Sequence, residues 1–278
     1  MINQLTTLLP QLLLEDGINV NDYYWKSLPT HKVKAEIKFK TPGTVVAGLP
    51  YFFETLSFLE GTAVGNAFAA HEGKILAAPS EEITFELSFR SALTGERLAL
   101  NMLQRACSIA TITKKFVDKA KREEVAILET RKTTPGLRFL EKYAVRVGGG
   151  HNHRFTQTDA FMIKDNHKTC LGGLAGAWNF FKKMQSFYTP IIVEIHSLEE
   201  LKHAITLGIH HIMLDNFTPQ MLTEALQAKP QGMTYELSGG INLSNIDSYI
   251  VKGVDAISIG ALTYDVPSVD ISLKYRPL

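Results

Sequence analysis

The chain has 278 residues, of which 45% are hydrophobic and 21% charged, and its formal net charge at pH 7 is +1. This fits a globular protein of one large or two modest domains, and the near-neutral charge argues against general nucleic-acid binding. Cys107 and Cys170 have neither metal-ligand nor redox spacing and are expected to be buried small apolar residues in a reducing compartment. The N-terminal residues carry no basic signal region and no stretch reaches the length of a membrane span, so a cytoplasmic protein without membrane or nucleic-acid partners is expected.

The first 110 residues or so mix predicted helices and strands. Residues 5–14 have the apolar spacing of an amphipathic helix, and residues 95–113 that of a long helix. Strands are expected in three segments, of which the first and last alternate between polar and apolar residues: 32–40, 73–79 and 82–89. This alternation is typical of a mixed sheet with one exposed face and helices on the other.

Beyond residue 125, short apolar runs alternate with helical stretches. The predicted strands are residues 125–128, 160–163, 191–195, 211–214, 235–237 and 256–259. The predicted helices are residues 137–145, 173–186, 198–207, 218–228 and 243–250. Nearly continuous apolar strands indicate a parallel sheet buried on both faces, and six strands fall short of the usual eight. The sequence therefore predicts an α/β protein with an incomplete, open parallel β/α barrel. It contains neither a dinucleotide-binding glycine fingerprint nor a Walker A loop.

Polar residues or glycines follow the apolar runs of this second half. They are residues 129–132, 164–166, Glu194, residues 215–216, 238–240 and 260–261. Any one of them could be a helix N-cap, and a lone strand-end aspartate is more often a cap than a catalytic group. A whole series of such strand ends is harder to explain by capping, and barrel enzymes place their active sites at the C-terminal ends of the strands.

Positive charge is concentrated in one glycine-containing segment. Residues 131–168 contain eight Lys or Arg and three acidic residues, which gives a net charge of +5 in a chain whose total is +1. Fixed cations together with backbone N–H groups that can approach closely form sites for small, highly charged anions. We therefore expect an anion site here, in which arginines would supply forked donors to carboxylates or phosphates.

Three kinds of chemistry are expected at the strand ends, each beside a structural alternative. Backbone N–H groups of residues 238–240 and 260–261 suit a phosphate, although tight turns would also need glycine. Glu194 and Asp215 suit a Mg²⁺ ion that bridges pyrophosphate and sugar hydroxyls, or else form salt bridges. His153 is either a ligand-contacting or a core histidine. Four others have no partner pattern and are interpreted as structural or exposed: His196, His203, His210 and His211.

Long motifs in a fixed order resemble the quinolinate phosphoribosyltransferase family nearly end to end. The main ones are Glu129-Thr-Arg-Lys-Thr-Thr-Pro-Gly-Leu-Arg138, Tyr143-Ala-Val-Arg-Val-Gly-Gly-Gly-His-Asn-His-Arg154, Ile163-Lys-Asp-Asn-His167, Met213-Leu-Asp-Asn216, Glu236-Leu-Ser-Gly-Gly-Ile241 and Ser258-Ile-Gly-Ala-Leu-Thr263. The resemblance implies an N-terminal α/β sandwich over residues 1–110, with residues 268–278 returning to it, and an incomplete barrel over 111–267. It also implies transfer of a phosphoribosyl group from phosphoribosyl pyrophosphate to quinolinate with loss of CO₂, a Mg²⁺ cofactor, and a homodimer or larger homo-oligomer.

The resemblance further implies a role for each matching residue. Arg131, His153, Arg154 and Lys164 would hold the carboxylates of quinolinate, with Arg97 reaching in from the neighbouring subunit. The residues at the reacting groups would be Lys132 and Lys164, between quinolinate and pyrophosphate, and Glu194 and Asp215, at the ribose hydroxyls or Mg²⁺. The 5′-phosphate would lie against Ser238, Gly239, Gly240, Gly260 and Ala261.

Two residues depart from the family pattern, and three other functions stay open at this stage. Tyr264 stands where histidine is usual, and Ser108 where glycine is common. The alternatives are an aldolase or lyase with Lys132 or Lys164 as a Schiff-base nucleophile, a non-catalytic paralogue, and a transferase for nicotinate or another carboxylated ring. The combination of Arg97, Arg131, His153 and Arg154 favours a dicarboxylate over a monocarboxylate.

Overall fold

A computed structural model of the chain describes residues 2–65, 68–77 and 82–278. By their packing, the residues divide into two compact units. The first unit consists of Met1–Lys114, Thr134–Gly149 and Asp265–Leu278, and the second of Lys115–Thr133 and Gly150–Tyr264. Residues 134–149, which the sequence places in the barrel domain, thus pack with the first unit. The domain boundaries at residues 110 and 267 stay predictions.

The elements alternate along most of the chain. The helices are α1 (Ile2–Glu15), α2 (Tyr23–Ser27), α3 (Leu49–Glu60), α4 (Phe89–Ala120), α5 (Arg138–Val147), α6 (Asp165–Cys170), α7 (Gly173–Met184), α8 (Leu198–Thr206), α9 (Pro219–Gln227) and α10 (Ala261–Tyr264). The strands are β1 (Lys32–Phe39), β2 (Thr44–Val45), β3 (Ile75–Leu76), β4 (Glu82–Ser88), β5 (Ala126–Leu128), β6 (Phe161–Ile163), β7 (Ile191–Ile195), β8 (His211–Asp215), β9 (Thr234–Ser238), β10 (Ala256–Ser258) and β11 (Ile271–Pro277).

The first unit is built on a three-stranded antiparallel sheet in the order β11-β1-β4. Ile37 of β1 lies opposite Leu273 on one side and Ile83 on the other, so the apolar side chains of all three strands meet on one face. That face packs into a core with α3 and α4, which contribute Phe52 and Leu103 among others. The last strand of the chain therefore returns to the sheet formed by the first, as the resemblance implies.

Ser108 on α4 has a structural role in that return. Its side chain is buried, and its hydroxyl donates to the Gln104 carbonyl oxygen at 2.6 Å while accepting from the Val269 N–H at 3.0 Å. A glycine here would leave the Val269 N–H without this acceptor. The departure from the family pattern at this position thus anchors the segment that leads into β11.

Glu60, at the end of α3, is expected to make the stability of the first unit depend on pH. Its carboxylate accepts from the Ser88 hydroxyl at 2.6 Å and pairs with Lys32. Burial alone would raise the pKa of Glu60, but the bonds from Lys32 and Ser88 lower it from 4.5 to about 2. Because the pKa is lower in the folded state, the stabilisation is present above pH 4.5 and is lost as the pH falls through the folded pKa of about 2.

Replacing Glu60 by glutamine is expected to lower the free energy of unfolding at pH 7 by about 2 kcal/mol, the contribution of a hydrogen bond to a charged group. The difference from the unsubstituted chain should shrink as the pH falls toward 2. Urea unfolding at several pH values measures both effects, and Glu86→Gln, at an exposed position on β4, is the matched control. A cost that does not change with pH would contradict the assignment.

The second unit contains one six-stranded parallel sheet in the order β5-β10-β9-β8-β7-β6. The last strand, β10, pairs with both β9 and β5, so the first strand of the unit lies beside the last. This is the strand order of a β/α barrel opened between β5 and β6. All six predicted strands are present, and the predicted mixed α/β architecture with a parallel sheet is confirmed. Because the strands are parallel, their carboxyl ends meet at one edge, where polar residues were predicted to gather.

Some local predictions were wrong. Instead of a helix over residues 243–250 there is one 3₁₀ turn, Ile246–Ser248, because the Asn242 and Asn245 side chains bond to nearby backbone N–H groups. The strand expected at 73–79 is only Ile75–Leu76, and its last two predicted residues lie outside the described part. Helix α3 was not predicted, because apolar residues occur on all its sides and give no helical periodicity.

Of the two cysteines, both of which were expected to be buried, Cys107 is buried and Cys170 is exposed. Of the described helices, none is long and apolar enough to cross a membrane.

Candidate active site

A cavity of about 400 Å³ opens in the second unit at the carboxyl ends of the strands. Its lining residues are Thr130, Arg131, Lys132, His153, Arg154, Met162, Lys164, Glu194, Met213, Asp215, Ser238 and Ser258. Eight of these twelve were predicted from the sequence to be site residues. The other four are Thr130, Met162, Met213 and Ser258, which are uncharged and were not predicted to be site residues. The fold thus gathers most of the predicted residues around one cavity.

Glu129, directly after β5, holds the loop that carries His153 and Arg154. The carboxylate is fully buried and accepts from the Asn152 side-chain amide at 2.9 Å and from the His153 N–H at 3.0 Å. His151 extends the same connection, since its N–H donates to the Ile127 carbonyl oxygen at 2.8 Å. A loop fixed at these points presents its side chains to the cavity in a defined position.

The two arginines of the cavity lie close enough to repel each other. The pKa of Arg154 is lowered first by burial and then by the positive charge of Arg131. One Arg154 Nη atom donates to the Ala160 carbonyl oxygen at 2.9 Å, which orients the guanidinium. Arg131 Nε is buried and makes no hydrogen bond to any part of the chain that the structure describes. An orphaned guanidinium donor beside a second arginine is what an anionic ligand would satisfy.

Lys164 and Glu194 form an ion pair across the strands β6 and β7. Lys164 Nζ donates to Glu194 Oε2, and the glutamate is buried while the lysine side chain is 47% exposed. Lys132 is exposed at the end of β5, and its carbonyl oxygen accepts from the Thr263 hydroxyl at 2.8 Å. Two lysines thus face the cavity from different strands, one paired and one open to solvent.

Glu194 and Asp215 stand on neighbouring parallel strands. In the register of β7 and β8, Glu194 lies opposite Met213, and both carboxylates approach the imidazole of His196, at 3.4 and 3.6 Å. Oxygen ligands of this kind are those that Mg²⁺ prefers, so the donor set fits that ion.

Glu236 on β9 is a residue whose importance was not predicted. Its carboxylate accepts from the Ser258 hydroxyl and lies 3.3 Å from His153 Nε2. The other ring nitrogen of His153 accepts from the Arg154 N–H at 2.8 Å, so in the neutral ring the proton is on Nε2 and faces Glu236. Glu236 is therefore the charged neighbour of His153 Nε2. In the sequence, Glu236 was indicated only by its place in the motif Glu236-Leu-Ser-Gly-Gly-Ile241.

Removing this acceptor is expected to weaken substrate binding. Glu236→Ala should lower kcat/KM for quinolinate, the substrate that the resemblance implies, about tenfold, the effect of losing one hydrogen bond to a charged group. Glu236→Gln keeps an acceptor oxygen and should retain most of the activity. Steady-state kinetics measure both, with Glu224→Ala, at an exposed position on α9, as the control. Equal losses for alanine and glutamine would mean that the negative charge, and not the acceptor, matters.

The glycines at the ends of β9 and β10 are required by close approach. A Cβ at Gly239, whose φ is +97°, would lie 2.2 Å from Asn216 Oδ1. At Gly260 it would lie 2.6 Å from a Tyr264 ring carbon and 3.2 Å from Lys132 Cδ. The predicted phosphate residues Gly239, Gly240, Gly260 and Ala261 follow the strand ends without lining the cavity, whereas Ser238 lines it. The alternative that these glycines serve tight turns thus has structural support of its own. Tyr264 is 63% exposed, with Lys132 Nζ 5.8 Å from its ring centre.

The cationic segment divides between the two units. Arg138, Lys142 and Arg146 lie on α5, which packs with the first unit, and Lys168 is buried in ion pairs with Asp165 and Glu200. The cations that line the cavity are Arg131, Lys132, Arg154 and Lys164, and they face the carboxylates Glu194 and Asp215. With four positive and two negative charges, the cavity wall carries +2, less than the +5 of the linear segment.

His196, which was interpreted as structural or exposed, lies among three carboxylates at the cavity. Its Nε2 lies 3.0 Å from Asp165 Oδ1, and its ring also approaches two residues of the predicted site, Glu194 and Asp215. His196 directly follows β7, so its position after an apolar strand was the signal available in the sequence. By contrast, Arg97 is exposed on α4 in the first unit.

Comparisons with known proteins agree with this architecture. Residues 22–107 match the N-terminal domain family, and residues 109–274 the C-terminal domain family, of quinolinate phosphoribosyl transferase. A Bacillus subtilis (strain 168) protein named probable nicotinate-nucleotide pyrophosphorylase (carboxylating) is 39% identical over 273 residues, covering 97% of this chain and 93% of its own. The human nicotinate-nucleotide pyrophosphorylase (carboxylating) is 34% identical over 246 residues, covering 87% and 82%.

Solved structures agree as well. The nicotinate-nucleotide pyrophosphorylase from Francisella tularensis superposes with a TM-score of 0.89 at 31% identity, covering 99% of this chain and 97% of that one. A parallel β/α sheet with a cationic cavity at the carboxyl ends of its strands is typical of enzymes that bind small anions there. Since both family domains match in order, the chain belongs to the quinolinate phosphoribosyltransferase family.

Proposed function

We propose that this protein transfers the phosphoribosyl group of phosphoribosyl pyrophosphate to quinolinate, yielding nicotinate mononucleotide, pyrophosphate and CO₂ in NAD biosynthesis. The observation that carries the proposal is the orphaned Arg131 Nε, buried beside Arg154 in a cavity whose wall is cationic. Quinolinate is a dianion, and phosphoribosyl pyrophosphate is more highly charged still. Family membership supports the same reaction.

Within this proposal the carboxylates of quinolinate bind to Arg131, Arg154 and Lys164. The forked guanidinium donors of arginine match a carboxylate, and two neighbouring arginines match two carboxylates on adjacent ring carbons. His153 contributes its ring to the same wall, beside the carboxylate of Glu236. A dicarboxylate would thus complete the hydrogen bonds of the cationic wall and relieve the repulsion between the arginines.

The reaction breaks the bond between the ribose C1 and pyrophosphate and forms one to the pyridine nitrogen. The transition state resembles an oxocarbenium ion, so the protein must position the nitrogen and stabilise the departing pyrophosphate. Lys132 and Lys164 supply positive charge for the leaving group. Glu194 and Asp215 line the same cavity, where their carboxylates can accept from ribose hydroxyls and stabilise positive charge at C1.

Mg²⁺ is the proposed cofactor, and Glu194 and Asp215 are the residues that would hold it, directly or through water. When bound with phosphoribosyl pyrophosphate, the ion would neutralise pyrophosphate charge.

The 5′-phosphate is proposed to lie at Ser238 and the backbone of the neighbouring glycine residues. Loss of CO₂ leaves transient negative charge at the ring carbon, which the quaternised ring nitrogen and a neighbouring lysine or arginine stabilise.

We further propose a homodimer or larger homo-oligomer in which Arg97 completes the active site of the neighbouring subunit. Mixing of inactive variants tests this arrangement. In a 1:1 mixture of Arg97→Ala and Lys164→Met subunits, about a quarter of the sites in a two-fold dimer regain both side chains if the site is shared. If Arg97 acts within its own subunit, no intact site forms and activity stays absent. The cytoplasmic location stays a prediction.

The direct test is an assay of the purified protein with quinolinate, phosphoribosyl pyrophosphate and Mg²⁺. Mass spectrometry detects nicotinate mononucleotide, and the released CO₂ is measured in parallel. Nicotinate is the parallel substrate. Turnover of quinolinate but not of nicotinate supports the proposal that Arg131 and Arg154 bind a dicarboxylate. Turnover of nicotinate alone, or of neither by folded protein that binds phosphoribosyl pyrophosphate, would overturn the proposal. Absence of borohydride trapping would exclude a Schiff base at Lys132 or Lys164.

A further inference from the structure

Asp165, Glu194 and His196 bring three ligand atoms together beside the cavity. Asp165 begins α6, Glu194 lies on β7, and His196 follows that strand. One oxygen from each carboxylate and one ring nitrogen all lie within 4.8 Å of one another. The shorter contacts are 3.0 Å from His196 Nε2 to Asp165 Oδ1 and 3.4 Å to Glu194 Oε1. Neighbouring ligands around an ion with bonds of about 2.1 Å are separated by about 3.0–3.4 Å, so this spacing suits a shared metal ion.

The imidazole is oriented as a metal ligand would be. Its Nε2 faces both carboxylates and is buried, yet within the described ranges it makes no hydrogen bond of acceptable alignment. Its Nδ1 lies 3.6 Å from Asp215 Oδ2, so a small rotation would let that N–H donate to a carboxylate. Histidine ligands to metals commonly donate their second ring N–H to a carboxylate, which fixes the tautomer and strengthens the ligand.

Neighbouring lysines share the carboxylates of the cluster: Lys168 contacts the Asp165 oxygen that also faces His196, whereas Lys164 binds the Glu194 oxygen that does not. Lys168 Nζ lies 2.9 Å from Asp165 Oδ1 and 2.6 Å from Glu200 Oε1, and its bond to Asp165 is the main cause that lowers the pKa of Asp165. Lys164 occupies Glu194 Oε2, which leaves Oε1 directed at His196. The competing arrangement is an ion pair between a protonated His196 and the two carboxylates.

We propose that Asp165, Glu194 and His196 bind one divalent transition-metal ion in the absence of substrate, with Asp215 orienting the histidine. An imidazole nitrogen favours Mn²⁺ or Zn²⁺ over Mg²⁺, which binds oxygen ligands almost exclusively. Glu194 would be common to this site and to the one proposed for the Mg²⁺ of phosphoribosyl pyrophosphate, whereas Asp165 and His196 belong to this site alone. Binding of this ion requires no substrate, so it can be tested independently of the proposed transfer reaction.

The site is tested by titrating the substrate-free full chain with Mn²⁺ alone. Electron paramagnetic resonance measures the concentration of free Mn²⁺, and the bound amount follows by difference. We expect one Mn²⁺ per chain, displaced by Zn²⁺ and not by an equal concentration of Mg²⁺. His196→Gln and Asp165→Asn should each weaken binding at least about tenfold, since even loss of a residue that only supports a ligand has that effect. His203→Gln is the matched control, because His203 is exposed on α8.

Two results would overturn the proposal: no Mn²⁺ bound by the unsubstituted chain, or the same affinity in His196→Gln as in His203→Gln. Either would leave the ion pair as the role of the cluster. Circular dichroism checks that each variant is folded, and His196→Asp provides a second variant that keeps a ligand but replaces nitrogen by oxygen. It should retain Mn²⁺ and lose the preference over Mg²⁺. Turnover of quinolinate with Mg²⁺ in the unsubstituted chain reports separately on the proposed function.

Discussion

Replacing Lys164 by methionine is expected to lower kcat by about 100- to 1,000-fold, which corresponds to about 2.7–4 kcal/mol of transition-state stabilisation. The lysine faces the cavity from the end of β6 and is proposed to stabilise the departing pyrophosphate. Methionine has a similar length but no charge. The change also removes the partner of the buried Glu194, and an unpaired buried carboxylate is destabilising. Initial rates at saturating substrates, together with thermal unfolding, separate the two effects.

Lys182→Met is the matched control for this experiment. Lys182 is exposed on α7, with Nζ 5.3 Å from the centre of the Trp178 ring, and does not line the active-site cavity. The double variant Lys164→Met with Glu194→Gln is expected to recover stability, because it removes the unpaired charge, but not activity. Near-normal kcat in Lys164→Met would contradict a role for this lysine in the transition state.

Arg131→Lys is expected to raise KM for quinolinate by about 10- to 100-fold, which is the loss of about 1.5–3 kcal/mol from hydrogen bonds to a charged group. The charge remains, but lysine cannot supply the planar, forked donors of a guanidinium. Arg131 Nε is a buried donor without a hydrogen-bond partner among the described residues, so the bond it would make to the substrate has no substitute there. KM for phosphoribosyl pyrophosphate is expected to stay unchanged.

Arg122→Lys is the control, because Arg122 precedes β5 and therefore belongs to the opposite edge of the parallel sheet. There its guanidinium donates to the Asp247 carbonyl oxygen at 2.8 Å. A rise in KM for phosphoribosyl pyrophosphate in Arg131→Lys, with KM for quinolinate unchanged, would assign Arg131 to the phosphate side of the cavity. Varying each substrate at saturation of the other distinguishes the two results.

Much of the site could be predicted because it follows the strands. Lys164, Glu194 and Asp215 come within or directly after apolar runs, and parallel strands bring their carboxyl ends to one edge whatever the details of packing. The glycines at 239 and 260 could be predicted for a related reason, since the backbone must turn closely at these strand ends. Hydrophobic periodicity failed to predict α3, which is apolar on all sides. It also wrongly predicted a helix after residue 242, because the polar side chains at 242–245 accept hydrogen bonds from backbone N–H groups that a helix would use.

The sequence by itself determined the six parallel strands of the second unit, most of the helices between them and the residues that follow the strand ends. Hydrophobic periodicity depends only on residues that are close together along the chain, so it can be read without the tertiary structure. Only the tertiary structure decided which charges share a cavity. Arg138 and Arg146 are near Arg131 along the chain but pack with the other unit, whereas His196 and Asp165 are 31 positions apart and 3.0 Å apart in space. Coulomb forces and hydrogen bonds act over a few ångströms, so partners such as Glu236 and His153 are set by how strands are placed side by side.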